Sequence, residues 1–310
     1  MAHTLFDLSS IVCGLLSMPL LGMTPAAAQI DTSEFTEFVD WCENREQLTS
    51  EAQHTVKVLL EVAETEDCDR AHQSLTTQKD LVLLDERFQD IRTFATLINL
   101  RWLVLNITEI QDLTPLANLT NLQNLSLLGS QIQDLTPLEN LTNLQNLSLF
   151  GSQIRDLTPL ENLTNLHSFW LTDSPVQDLT PLANLTNLQN LSLSGNQIKD
   201  LTPLANLTQL QELRLTQNKI KNLKPLVNLT DLRKLTLGSN EIQDLTPLAT
   251  LNNLQDLWLY ENEIQDLAPL VNLSNLKKLW LYDNPFLETD SEPTCPVQPE
   301  SICVFEKPSL

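Results

Sequence analysis

The stretch DLTPLANLTNLQNLSLSGNQIK, residues 178–199, starts again at Asp200 with small changes, and this recurrence constrains the chain more than any other feature. Counting the first Leu of LxxLxL as position one, units begin at Leu100, Leu122, Leu144, Leu166, Leu188, Leu210, Leu232 and Leu254, each step being 22 residues. A degenerate unit starts at Gln78, and a final half-unit runs from Leu276 to about Phe286. A fixed period of this size builds an array along one axis, so the 310 residues are not read as two ordinary globular domains.

Apolar residues recur at positions one, four, six, eleven, fourteen, seventeen and twenty: Leu188, Leu191, Leu193, Ile198, Leu201, Leu204 and Leu207 in the quoted unit. Neither a 3.6 nor a 2.0 period explains that spacing throughout. The alternation Leu191, Ser192, Leu193 predicts a short strand, and the rest must return the chain to the next one. Proline at position sixteen, as in Pro203, forbids a regular helix there and leaves room for a 3₁₀ turn and extended chain. The expected architecture is therefore an α/β solenoid: stacked coils, one parallel strand each, with a 3₁₀/extended convex side and one continuous core of Leu and Ile ladders.

Two polar columns have structural readings. Asn196, Asn218, Asn240, Asn262 and Asn284 fall where an inward amide can bond the backbone of adjacent coils, with Thr108, Ser130, Ser152 and Ser174 in that place earlier. Asp112, Asp134, Asp156, Asp178, Asp200, Asp244 and Asp266 precede the Thr/Ala-Pro pair and are placed to cap the turn. A carboxylate ladder could also hold a hard cation such as calcium, but Asn222 keeps the cap and loses the charge, so no metal is assigned.

Residues 1–28 read as an export signal: an apolar run from Ile11 to Met23, then Ala26, Ala27 and Ala28 before Gln29. The n-region carries Asp7 and no Lys or Arg, a departure from the usual pattern, and the run falls short of the roughly 20 apolar residues that span a bilayer. No stable membrane insertion is expected once the signal is cleaved. Cys42 and Cys68 precede the array, while Cys295 and Cys303 follow it. A stiff rod separates the two pairs and a disulfide needs Cα atoms within about 7 Å, so only Cys42 with Cys68 and Cys295 with Cys303 are feasible. Disulfides fit an oxidising compartment, so the expected location is secreted or periplasmic/cell envelope.

The units LTPLANLTNLQNLSLSGNQIKD and LTPLENLTNLQNLSLFGSQIRD resemble the 22-residue leucine-rich repeats of the bacterial internalin-like class. The flanks, with Trp41 and Cys42, residues 55–68 and residues 295–303, are similar to the caps of leucine-rich repeat proteins exported by cyanobacteria. The resemblance implies a horseshoe whose concave parallel sheet binds a partner, usually a protein. No cell-wall anchor or added adhesion domain is visible, so no host-invasion role carries over. The implied organisation is a signal at 1–28, a helical N-terminal cap at 29–77, the array at 78–286 and a C-terminal cap at 287–310. Phe35, Phe38, Val39, Trp41, Val56, Val58, Leu59, Leu60 and Val62 can supply the apolar surface of the first cap, since terminal coils otherwise expose core and strand edge.

Function must then lie in the positions that do not repeat. On the concave side, Trp258, Tyr260, Trp280 and Tyr282 form a two-by-two aromatic block that holds both Tyr residues of the chain. Exposed aromatics on a sheet are what binding hot spots use; cross-strand packing of the C-terminal end is the other reading. A looser group comprises Leu128, Phe150 and Trp170, with Trp102 nearby. With Lys+Arg 18 against Asp+Glu 40, nucleic acid is excluded as a generic partner, despite a locally basic segment at 210–234. His54, His72 and His167 belong to no catalytic motif, and no Walker loop, G-x-S-x-G or H-E-x-x-H occurs. The expectation is an exported, monomeric, non-catalytic module without cofactor, binding a protein on its concave face, with a glycan as the other ligand class. The competing functions are a structural envelope protein without a discrete ligand, or an intracellular phosphatase-regulator-like scaffold if the signal is false.

Overall fold

The computed structural model describes residues 30–107, 109–129, 131–288 and 294–308. The expected leader at 1–28 lies outside the described residues, as do Thr108 and Ser130. Three helices come first: α1 (Phe38–Glu43), α2 (Ser50–Val62) and α3 (Cys68–Thr77). A single parallel sheet follows, its eleven strands in sequence order: β1 (Asp80–Phe88), β2 (Trp102–Ile107), β3 (Asn124–Leu128), β4 (Asn146–Phe150), β5 (Ser168–Thr172), β6 (Asn190–Ser192), β7 (Glu212–Arg214), β8 (Lys234–Thr236), β9 (Asp256–Trp258), β10 (Lys278–Trp280) and β11 (Cys303–Val304). The register is that of the repeat: Leu103 pairs with Leu125, Leu125 with Leu147, and Leu147 with Phe169. Side chains on a strand alternate faces, so positions four and six enter the core and positions three, five and seven stay outside. The alternation of buried and less buried residues along β2, β3 and β5 follows that rule.

Each coil turns back through Thr-Pro-Leu or its variant in a 3₁₀ turn, as at Thr114–Leu116 and Thr202–Leu204. Proline is tolerated there because its missing N–H falls in the first turn, where no intrahelical partner exists. The Asp column does the capping expected of it: Asp134, Asp156, Asp178 and Asp200 each accept the backbone N–H two residues on at 2.8 Å, and Asn222 accepts that of Lys224 at 3.0 Å. The hydroxyl of the following Thr and then this N–H hold the carboxyls of Asp134, Asp156, Asp178, Asp200 and Asp244 below the usual aspartate value.

The inward Asn column joins coils as expected. Asn240 Nδ2 donates to the carbonyls of Leu215 (2.9 Å) and Leu237 (3.0 Å), while its Oδ1 accepts the N–H of Ile220 at 3.0 Å. In earlier coils Ser174 Oγ donates to the Ser152 carbonyl at 2.9 Å, a thinner version of the same tie. A second ladder, absent from the sequence reading, runs along the back. Asn121, Asn143, Asn165, Asn187, Asn253 and Asn275 each donate to a carbonyl 23 residues earlier.

The helices are tied to the first coils through polar and apolar contacts. Thr55 Oγ1 donates to the Asp90 carbonyl at 2.6 Å, Asn99 Nδ2 donates to that of Thr76 at 2.7 Å, and Arg92 lies 5.3 Å over the Trp41 ring. The Cys42–Cys68 disulfide links α1 to α3, with Cα atoms 5.6 Å apart. At the far end Cys295 bonds Cys303, and the strand that starts at Cys303 pairs with β10.

Candidate functional site

Two regions of the outward sheet face differ in character. In the C-terminal half several charged side chains meet partners from their own chain. Position three reads Glu212, Lys234, Asp256, Lys278 on successive strands, alternating in sign across the register. Lys234 Nζ lies 3.2 Å from Glu212 Oε1, and Arg214 pairs with the same carboxylate. With Lys221 at 3.0 Å from Glu241, three of the cations in the basic segment are in ion pairs.

The four aromatics of the block meet as the sequence predicts, but they are not openly exposed. Trp258 stacks on Trp280 with ring centroids 5.1 Å apart, and Tyr260 stacks on Tyr282 at 4.7 Å. Tyr282 is 7% exposed and the other three are half-buried. The Tyr260 ring leans over Gly238, where an added Cβ would sit 2.4 Å from its Cζ. Burial raises the pKa of its hydroxyl, against a lowering hydrogen bond with Thr216. Cations close the block from both sides: Lys234 Nζ is 5.7 Å from the Trp258 ring, and Lys307 Nζ is 6.0 Å from Tyr282 and 3.2 Å from Glu261. Much of the area that would make these rings anchors is thus covered by the chain itself.

The N-terminal half is open. Trp102 on β2 is 47% exposed and Trp170 on β5 is 40% exposed, an unusual state for indoles, which carry a large apolar area. Between them lies a hollow of about 330 Å³ lined by Val104, Asn124, Ser126, Asn146 and Ser148. Small side chains at position five of β3 and β4 leave this space, and Ser148 is itself buried in its floor. Asn146 Nδ2 donates to Asn124 Oδ1 at 2.6 Å, which fixes the amides along one side. Phe150 pairs in register with Thr172, and Leu128 with Phe150, so the looser group of the sequence flanks this hollow. On β1, Val82 and Leu84 are each half exposed and extend the apolar surface. Nothing in a single repeat marks Ser126 and Ser148 as a floor; that role follows only from the tryptophans on either side.

Among the described residues, no group of three or more His, Cys, Asp or Glu is arranged to hold a metal ion. No helix among them is long and apolar enough to cross a membrane.

The pattern of leucine rich repeats (2 copies) matches residues 142–184, 186–227, 208–250 and 252–293. Among solved structures, an internalin (inlF) from Listeria monocytogenes is 37% identical, covering 73% of this chain and 67% of its own, with a TM-score of 0.69. An internalin C2 (inlC2) from the same organism is 33% identical over 73% of this chain and 91% of its own, with a TM-score of 0.54. A leucine-rich repeat protein of Leptospira interrogans is 26% identical over 76% and 62%, with a TM-score of 0.65. No curated protein matches the chain. The chain belongs to the leucine-rich repeat family. The part it shares with each of the two internalins covers 73% of the chain.

Proposed function

We propose that this protein is an exported, non-catalytic binding module that grips a protein partner on the concave sheet face, centred on β2–β5. The observation that carries this reading is the pair of exposed tryptophans, Trp102 and Trp170, facing each other across an unfilled hollow. Aromatic side chains bury much area at little entropic cost, and solenoids offer extended concave surfaces suited to such contacts. Trp170 and Phe150 are the contact residues carried over from the sequence. The block at Trp258, Tyr260, Trp280 and Tyr282 is assigned to rigidifying the C-terminal coils. The two disulfides support export, because such bonds persist in oxidising compartments.

The test compares partner capture from extracellular and envelope extracts by wild type, a Trp102→Ala/Trp170→Ala variant and a Trp258→Ala/Trp280→Ala variant. Capture should be lost in the first and kept in the second; the reverse result would sink the assignment. Export is checked by mass spectrometry of the native protein, which should begin at Gln29 and carry no free thiol among the four cysteines outside the leader. An intact Met1 with free thiols would overturn it.

A further inference from the structure

We propose that the part of the partner seated between Trp102 and Trp170 is a short extended peptide segment that carries no charge. The proposal rests on the concave-face reading and adds the chemistry of the bound segment. Outward positions three, five and seven of β2–β6 hold Trp, Val, Asn, Ser, Leu, Phe and Thr and no ionisable group, in a chain where 19% of residues are charged. The field is bounded by Asp80 on β1 and Glu212 on β7. From Glu212 onward charges return to this face, and Glu212 itself is paired with Arg214 and Lys234.

A charged side chain pressed into the neutral field would shed its water and gain no opposite charge, a net loss. An apolar side chain against either indole gains from burial, with no such cost. The polar groups present suit a peptide backbone. An Asn amide has two N–H donors and a carbonyl acceptor, so Asn146, after donating once to Asn124, still offers one donor and one acceptor. Those are the complements of a peptide C=O and N–H. Hydroxyls of Ser126 and Ser148 in the lining add further partners of either polarity.

The walls set the length. Trp102 and Trp170 stand three strand spacings apart and two residues out of register, roughly 16 Å at about 4.8 Å per strand and about 3.3 Å per residue. Extended chain advances about 3.3 Å per residue, so about five residues bridge the hollow.

The experiment pans a random peptide display library on the disulfide-bonded protein, then titrates synthetic versions of the enriched peptides while following tryptophan fluorescence. Expected are peptides sharing an uncharged run of about five residues, whose affinity falls about tenfold or more in Trp102→Ala and in Trp170→Ala. It should be nearly unchanged between low and high salt. Placing one Lys or Asp inside the run should also cost about tenfold. Circular dichroism of the variants checks that the fold is kept, as both indoles are half exposed.

Enriched peptides that need both tryptophans yet carry charge in the run and weaken with salt would overturn the neutral-segment proposal and leave the concave-face reading standing. Peptides indifferent to both substitutions would overturn both. Failure to enrich any peptide, with a panel of neutral oligosaccharides shifting the fluorescence instead, would assign the hollow to a glycan and overturn the proposal. Silence in both arms would overturn it as well.

Discussion

Replacing Asn240 by Ala tests how the coils are held together. The substitution removes the acceptor of the Ile220 N–H and the donor to the carbonyls of Leu215 and Leu237, all inside the core. Asn240 is 9% exposed, so water reaches these groups poorly. An orphaned buried N–H costs about 1–3 kcal/mol; the carbonyls, each with a second lone pair, add no more than a similar amount, so the expected loss is about 3 kcal/mol. At a few degrees per kcal/mol for a chain of this size, Tm should fall by roughly 6 °C or more. Urea unfolding followed by far-UV circular dichroism gives the free energy, with Gln243→Ala, whose side chain bonds Glu263 in the open, as the exposed control. A loss below about 1 kcal/mol, or one equal to that of Gln243→Ala, would refute the reasoning, because buried backbone groups would then be finding other partners.

Three further outcomes are expected. Gly238→Ala should displace Tyr260 and cost about 1–3 kcal/mol through overpacking, seen as a weakened near-UV tyrosine signal with ligand capture intact; loss of capture would return the block to the binding site. The carboxyls of Asp134, Asp156, Asp178, Asp200 and Asp244 titrate lower in the folded than in the unfolded chain, so their contribution is full above the ordinary value near 4 and is lost as pH falls through their depressed values. Since these groups lie at the surface, the acid-side decline in Tm should be modest, and a decline already complete at neutral pH would contradict it. Cys42→Ser with Cys68→Ser should cost about 3 kcal/mol, from the 26-residue loop it opens, and should loosen α1 and α3 first; hydrogen exchange that rises equally across β2–β10 would contradict this.

The coil was legible residue by residue. A strand from Leu191, Ser192 and Leu193, a turn at Pro203, a cap from Asp200 and an inward tie from Asn196 each follow from local chemistry that repeats every 22 residues, so errors at one coil are corrected by the next. The back ladder of Asn121 and its equivalents has no signature in the sequence, because an exposed Asn in a loop has many local uses. Only the stacking distance brings its amide to the preceding coil.

The sequence by itself determined the solenoid, its core, the two cysteine pairs and the rows of outward residues, because translation by one coil is the same operation everywhere. Tertiary structure decided which of those rows is open. Trp258 and Trp102 are both tryptophans on the outward face, yet one is stacked on Trp280 beneath the reach of Lys234 while the other stands beside a floor of serines. Exposure depends on the size and charge of neighbours one coil away and on a tail that returns to β10, and no single unit of the repeat contains that information.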